Sequence, residues 1–211
     1  MGMDTEYQVF VLESLSSEKE RLFKAEGEIL SRILTMLGKV PHYHYIRNVK
    51  ELKAAIGLFE ASGYRYLHIS CHGDSDCIWF GDESLDFQEF CEIVGPSLKE
   101  RRLFLSACLC ATKSLAKPII EQFKCFSVAG FNKEVSFSDA ALLWGSFYNR
   151  MFNEDKKRMT IEPVIRALTN FSNAYDMPMM LFYRKRGKME PEKIDPYDMR
   201  ALLRRLNKAG V

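Results

Sequence analysis

A chain of 211 residues with 47% hydrophobic and 12% aromatic content carries enough apolar material for one domain with a sizeable core, which excludes a disordered polypeptide. A formal net charge of +2 generates no long-range field of the kind that drives nucleic-acid binding, so no direct nucleic-acid partner is expected. No apolar run has the length of a membrane span and the first residues lack a basic then apolar leader, so the expectation is a cytoplasmic protein without a membrane partner.

In chain order, Glu6 to Leu12 reads as a first strand. A helix opening at Ser16 carries Leu22, Phe23, Ile29, Leu30, Ile33, Leu34 and Leu37 at helical spacing and stops at Gly38. Tyr43 to Val49 is a second strand, and Glu51 to Glu60 a second helix ending at Gly63. Tyr66 to Ser70 is aromatic and β-branched enough for a central strand. Cys77 to Leu85 reads as a small hairpin turned at Gly81 and Asp82, Asp86 to Val94 as a helix, and Leu103 to Ser106 as a fourth strand.

Ser114 to Phe123 is a helix containing Pro118, Cys125 to Gly130 a fifth strand, and Ser138 to Phe152 a long amphipathic helix. Thr160 caps a further helix with Pro163 in its first turn, and Met179 to Arg184 is a last strand. From Gly187 the chain is charged and proline-interrupted, then regains helical character over Tyr197 to Leu206. The alternation predicts an α/β fold: a mostly parallel sheet of about six strands with helices on both faces. The domain spans 1–186 and a charged tail spans 187–211.

Two of these strands end in reactive side chains. His72 follows the Tyr66 to Ser70 run, and Cys108 follows Leu103 to Ser106. Neighbouring parallel strands would deliver both to the carboxyl edge of one sheet, where open α/β folds bind ligands. An imidazole beside a thiol can take its proton and stabilise the thiolate that attacks a carbonyl carbon. Cys71 alternates to the other face of its strand and reads as core. The six cysteines (Cys71, Cys77, Cys91, Cys108, Cys110 and Cys125) read as thiols in a reducing compartment.

The order of strand, His-Gly, hairpin, helix, strand and Ser-Ala-Cys resembles the caspase-like cysteine peptidases, and among them the CHAT family. The matching residues are Leu67 to Gly73, Ile78 to Asp82, Leu105 to Cys108, Val128 to Gly130 and Asp139 to Tyr148, within a stretch from about Tyr64 to Tyr183. The resemblance implies a caspase-like fold and a cysteine endopeptidase that needs no cofactor. Cys108 would attack a peptide carbonyl and His72 would protonate the leaving amine. Gly73, without a Cβ, would let its N–H approach the oxyanion together with the N–H of Cys108, and loss of one such donor typically costs roughly 2.7–4 kcal/mol in the barrier.

The resemblance further implies an S1 pocket built from Phe104 to Ala107, Ser106 included, and from Phe131 to Ser138. Glu134 or Asp139 would there pair with a basic P1 residue, Asp139 being the better match to the family's acidic position, although it equally suits the first turn of a helix. The implied partners are a protein or peptide substrate and a protein activator or sensor, in bacterial signalling or antiviral defence. The chain departs from the family at Leu109 to Ala111, where relatives carry a polar residue and a glycine, and it lacks the Trp that often precedes the Asp139 region.

Two other readings stay open. The departures after Cys108, and the lack of a third catalytic residue beyond a guess at Asp74, fit a binding or scaffold module of the same fold. Cys71, His72, Cys77, Cys108 and Cys110 are metal-ligand types, but their spacing lacks the Cys-x₂₋₄-Cys knuckles that structural zinc sites use. The basic clusters at Lys156 to Arg158, Arg184 to Lys188 and Arg204 with Arg205 read as solvated faces, and His42 and His44 as strand packing.

Overall fold

The computed structural model describes residues 6–16, 25–154 and 159–194. Strand β1 (Glu6–Glu13) leads to α1 (Glu26–Met36), β2 (His42–Tyr45), α2 (Val49–Ser62) and β3 (Tyr64–Ser70). A small hairpin sheet follows, made of β4 (His72–Gly73), β5 (Cys77–Phe80) and β6 (Glu83–Asp86). Then come α3 (Phe87–Val94), a 3₁₀ turn, β7 (Arg102–Ser106), α4 (Lys113–Glu121) and β8 (Ser127–Phe131). The last elements are α5 (Phe137–Glu154), α6 (Ile161–Tyr175), β9 (Met179–Lys185) and β10 (Lys188–Ile194).

The main sheet has seven strands in the order β10-β9-β8-β7-β3-β1-β2. β2, β1, β3, β7 and β8 run parallel, whereas β9 and β10 are antiparallel to their neighbours. Every residue of β7 and β8 is buried, as both-sided helix cover requires of central parallel strands. Alternation along the strands divides the core in two. Phe10 and Leu12 of β1, Leu67 and Ile69 of β3 and Leu103 and Leu105 of β7 pack with Leu52, Phe59, Phe90 and Ile119 from α2, α3 and α4. Val9, Val11, Tyr66 and Phe104 point the other way, toward Leu30, Trp144, Tyr148 and Leu168 from α1, α5 and α6.

Local chemistry explains most boundaries. The Asn48 side chain accepts the Glu51 N–H at 2.9 Å and so starts α2 at Val49, which ends the second strand earlier than its apolar pattern suggests. Gly63 closes α2 in the left-handed conformation. Asp86 and Glu89 form a reciprocal capping box at the start of α3. Gly81 turns the β5–β6 hairpin with φ +63° directly against the Arg47 carbonyl, where a Cβ would lie 2.0 Å from the oxygen. Its N–H donates to Ser14 Oγ at 2.8 Å, so the hairpin is tied to the end of β1.

The C-terminal part differs from the expectation of a charged tail. Residues 188–194 form β10, paired with β9 through seven register partners. The connecting Arg186 and Gly187 both have positive φ, as a two-residue hairpin turn demands, and Pro191 is tolerated because β10 is an edge strand. The sheet therefore has seven strands rather than about six. The predicted start of the first helix over 17–24, the basic cluster 156–158, Arg204 with Arg205 and the predicted helix 197–206 lie outside the described residues. No described helix is long and apolar enough to cross a membrane.

Candidate active site

Ser70 and Ser106 end β3 and β7 as direct register partners, and the Cys71 N–H donates to the Ser106 carbonyl at 3.0 Å. His72 and Cys108 each stand two residues beyond that pair. Both are half-buried and line one pocket of about 390 Å³, together with Gly73, Ser106, Glu134, Val135 and the buried Glu26. The shared exit of two paired strands is what brings imidazole and thiol to one cavity.

The surroundings of each side chain come from the loop before α5. The His72 ring meets Phe137 edge to face, with centroids 5.2 Å apart at 83°. Cys108 Sγ accepts the Val135 N–H at 3.3 Å and lies 3.5 Å from the Val135 carbonyl. A backbone N–H aimed at sulfur is a donor to negative charge there. Leu109 takes a left-handed conformation, φ +60°, immediately after the thiol residue. Its N–H reaches the Lys133 carbonyl at 3.4 Å and the Ala111 N–H reaches Phe131 at 3.0 Å, so backbone bonds hold a turn that suits glycine better than leucine.

Gly73 is confined. A Cβ there would stand 2.1 Å from Cys110 Sγ and 2.9 Å from the Cys108 carbonyl. In the β4–β5 hairpin, Asp74 N–H donates to the Cys77 carbonyl at 3.0 Å, so the next register pair, Gly73 with Ile78, is one whose N–H groups point away from the partner strand. The Gly73 N–H is thus unused by β5. Asp74 itself is committed to the turn: Oδ1 accepts the N–H groups of Asp76 and Cys77 at 2.8 and 2.7 Å. Those two backbone bonds hold its carboxyl below the usual range.

The substrate-side residues separate. Ser106 and Glu134 line the pocket, Glu134 from an exposed position. Asp139 does not line it; its Oδ2 accepts the Ser136 hydroxyl at 2.7 Å and its N–H donates to Ser136 Oγ at 3.1 Å, the arrangement of a capped first turn of α5. Glu26 and Ser70 went unnoticed in the sequence. The signal was there: Glu26, Leu30 and Leu34 recur every four residues and are all buried in α1, so a carboxylate occupies the apolar stripe.

Burial pushes Cys91 and Cys110 up to about 12 and Cys125 to about 11; Cys71 and Cys77 are also raised. Cys71 sits in the core at 3% exposure. All six cysteines are free thiols, and among the described residues no three His, Cys, Asp or Glu side chains gather to hold a metal ion.

This chain is similar in structure to a secreted C11 cysteine protease from Bacteroides thetaiotaomicron, iotapain, with TM-score 0.56 and 10% identity over 85% of this chain and 66% of that one. It is similar to caspase-1 from Spodoptera frugiperda with TM-score 0.51 and 11% identity, covering 82% and 81%. The fold is caspase-like. At such identities the likeness concerns the fold, and the chain spans just under two thirds of the C11 protease's length. No protein-family model and no curated protein sequence matches the chain.

Proposed function

We propose that this caspase-like chain is a cysteine endopeptidase of CHAT type working through Cys108 and His72. The observation that carries the reading is the Ser70–Ser106 register, from which both side chains enter one pocket. His72 takes the thiol proton and Cys108 Sγ forms a bond to the substrate carbonyl carbon, moving the carbonyl π pair onto oxygen. The N–H groups of Gly73 and Cys108 receive that oxyanion. Collapse breaks the C–N bond, and the amine leaves with the proton from His72. Water then adds to the thioester with His72 as base, releasing the carboxylic acid and restoring the thiol.

The neighbours in fold are cysteine proteases, which supports the chemistry class. A protein substrate, an activating partner and a role in bacterial signalling or antiviral defence in the cytoplasm belong to the CHAT resemblance. A second reading, a non-catalytic module, draws on Val135, whose backbone occupies the thiol from both its N–H and its carbonyl.

The test is labelling of wild type, Cys108→Ala and His72→Ala with peptide acyloxymethyl ketones, read by intact mass. One adduct, lost in Cys108→Ala and slowed at least about 100-fold in His72→Ala, is the expected result. Slow labelling of several cysteines at rates indifferent to His72 would transfer the case to the non-catalytic module.

A further inference from the structure

We propose that Glu26 is a positioning residue for the Cys108 and His72 pair: one buried carboxylate oxygen ties together the two strand ends from which the thiol and the imidazole emerge. The proposal rests on the peptidase reading above and deepens it. Ser70 and Ser106, register partners at the ends of β3 and β7, each donate a hydroxyl to the same Glu26 Oε2 at 2.9 Å. Ser70 stands two residues before His72, and Ser106 two residues before Cys108. The three groups are buried together, with Glu26 2% and Ser106 3% exposed and Ser70 fully enclosed.

The strand ladder stops short of the pair. Its last bond runs from the Cys71 N–H to the Ser106 carbonyl at 3.0 Å. Past it the chains part: His72 pairs with Trp79 in the hairpin sheet, and Leu109 turns into the left-handed conformation. A shared acceptor at the parting point fixes both exits to one atom. That acceptor is itself held. Glu13, at the end of β1, accepts the Gly27 N–H at 2.8 Å and the Glu28 N–H at 3.2 Å, which seats the first turn of α1 on the sheet edge. The other oxygen of Glu26 packs 3.7 Å from His68 Nε2, and His68 Nδ1 meets the Tyr148 hydroxyl of α5 at 3.2 Å.

Stability alone does not call for an acid here. Glu26→Leu combined with Ser70→Ala and Ser106→Ala would fill the same space with apolar side chains, an exchange that in buried charged networks is often neutral or stabilising. What the exchange removes is direction, because two hydroxyls that point at one charged oxygen give way to side chains that pack without a fixed partner. Proton transfer between thiol and imidazole depends on holding them within hydrogen-bond reach, so the loss falls on their coupling.

The test measures that coupling. Iodoacetamide alkylation of Cys108, assigned by peptide mapping, is timed in wild type, His72→Ala, the triple variant (Glu26→Leu, Ser70→Ala, Ser106→Ala) and the triple variant carrying His72→Ala, with urea unfolding as the check on each fold. His72→Ala should slow alkylation at least about 10-fold in the wild-type background and less than about 2-fold in the triple background, a cycle that a merely structural role would not change in a folded protein. Glu26→Gln keeps a carbonyl oxygen for both hydroxyls and should retain a His72 effect of at least about 5-fold. Ser106→Ala alone keeps the acid but frees one exit, and should cut the effect to about 3-fold or less. A full His72 effect in the folded triple variant, or in Ser106→Ala if the triple variant does not fold, overturns the positioning role and leaves the dyad intact. Loss in Glu26→Gln as complete as in the triple variant overturns it too, since the hydroxyl clamp would then not be what matters. Alkylation indifferent to His72 in wild type overturns the dyad and this proposal together. Coupling that follows the clamp while no acyloxymethyl ketone peptide reacts keeps the positioning role and overturns the peptidase.

Discussion

Gly73→Ala offers the sharpest test of how tightly the two strand exits are packed. The added Cβ would stand 2.1 Å from Cys110 Sγ, where ordinary contact needs roughly 3.5–4.0 Å, so about 1.5 Å of movement is required. Cys110 has nowhere to retreat: it is fully buried, and its Sγ sits 3.5 and 3.6 Å from the carbonyls of Asp74 and Cys77. Overpacking of this kind costs about 1–3 kcal/mol, and backbone on the second side, the Cys108 carbonyl at 2.9 Å, argues for the upper end. For a chain of this length 3 kcal/mol lowers the melting temperature by roughly 6–12 °C. Cys110→Ala alone should cost about 1–2 kcal/mol for the lost side chain.

In the double variant the sulfur is gone and only the 2.9 Å carbonyl contact remains, so the combined loss should fall about 2 kcal/mol short of the sum. The assay is urea denaturation of wild type, both single variants and the double variant, followed by fluorescence. Strict additivity would refute the argument, because it would mean that Gly73 and Cys110 do not share the space assigned to them.

Arg101, 2% exposed, donates to the Phe59 and Glu60 carbonyls at the end of α2 and lies over the Phe59 ring at 4.4 Å. Arg101→Ala should lower stability by about 2–4 kcal/mol in urea denaturation, and Arg101→Lys should recover less than half of it because one ammonium does not span two carbonyls. Recovery to wild type by lysine would show that charge alone mattered. Glu13 has its carboxyl raised above the ordinary 4.5, mainly by burial. An acid raised on folding binds its proton more tightly in the folded state, so stability falls as pH rises from 4.5 through the raised value. Glu13→Gln should flatten that decline when the urea midpoint is followed between about pH 4 and 8; an unchanged slope would remove Glu13 as its source.

Much of the fold was legible because local signals and global packing agree. The fully buried runs of β3 and β7, the Asp86 cap of α3 and the Gly63 stop of α2 are each stated by residues within one turn or strand. β10 was not legible, because its pattern of Lys, Glu and Pro is that of an exposed edge, and only pairing with β9 gives it a conformation. The site divides along the same line. His72, Gly73 and Cys108 could be named from strand ends and small residues, whereas Asp139 reads identically as pocket acid or helix-start charge until its contact with Ser136 is seen.

Composition and periodicity alone determined an α/β chain with helices on both faces of a parallel sheet, since the burial of each element depends on its own spacing of apolar residues. Register is a relation between strands 36 residues apart, and it was the tertiary structure that made Ser70 and Ser106 partners and so set His72 and Cys108 on one cavity. The same holds for Glu26. A carboxylate on a helix stripe is a local oddity until the sheet edge supplies two serine hydroxyls to one oxygen and His68 packs 3.7 Å from the other.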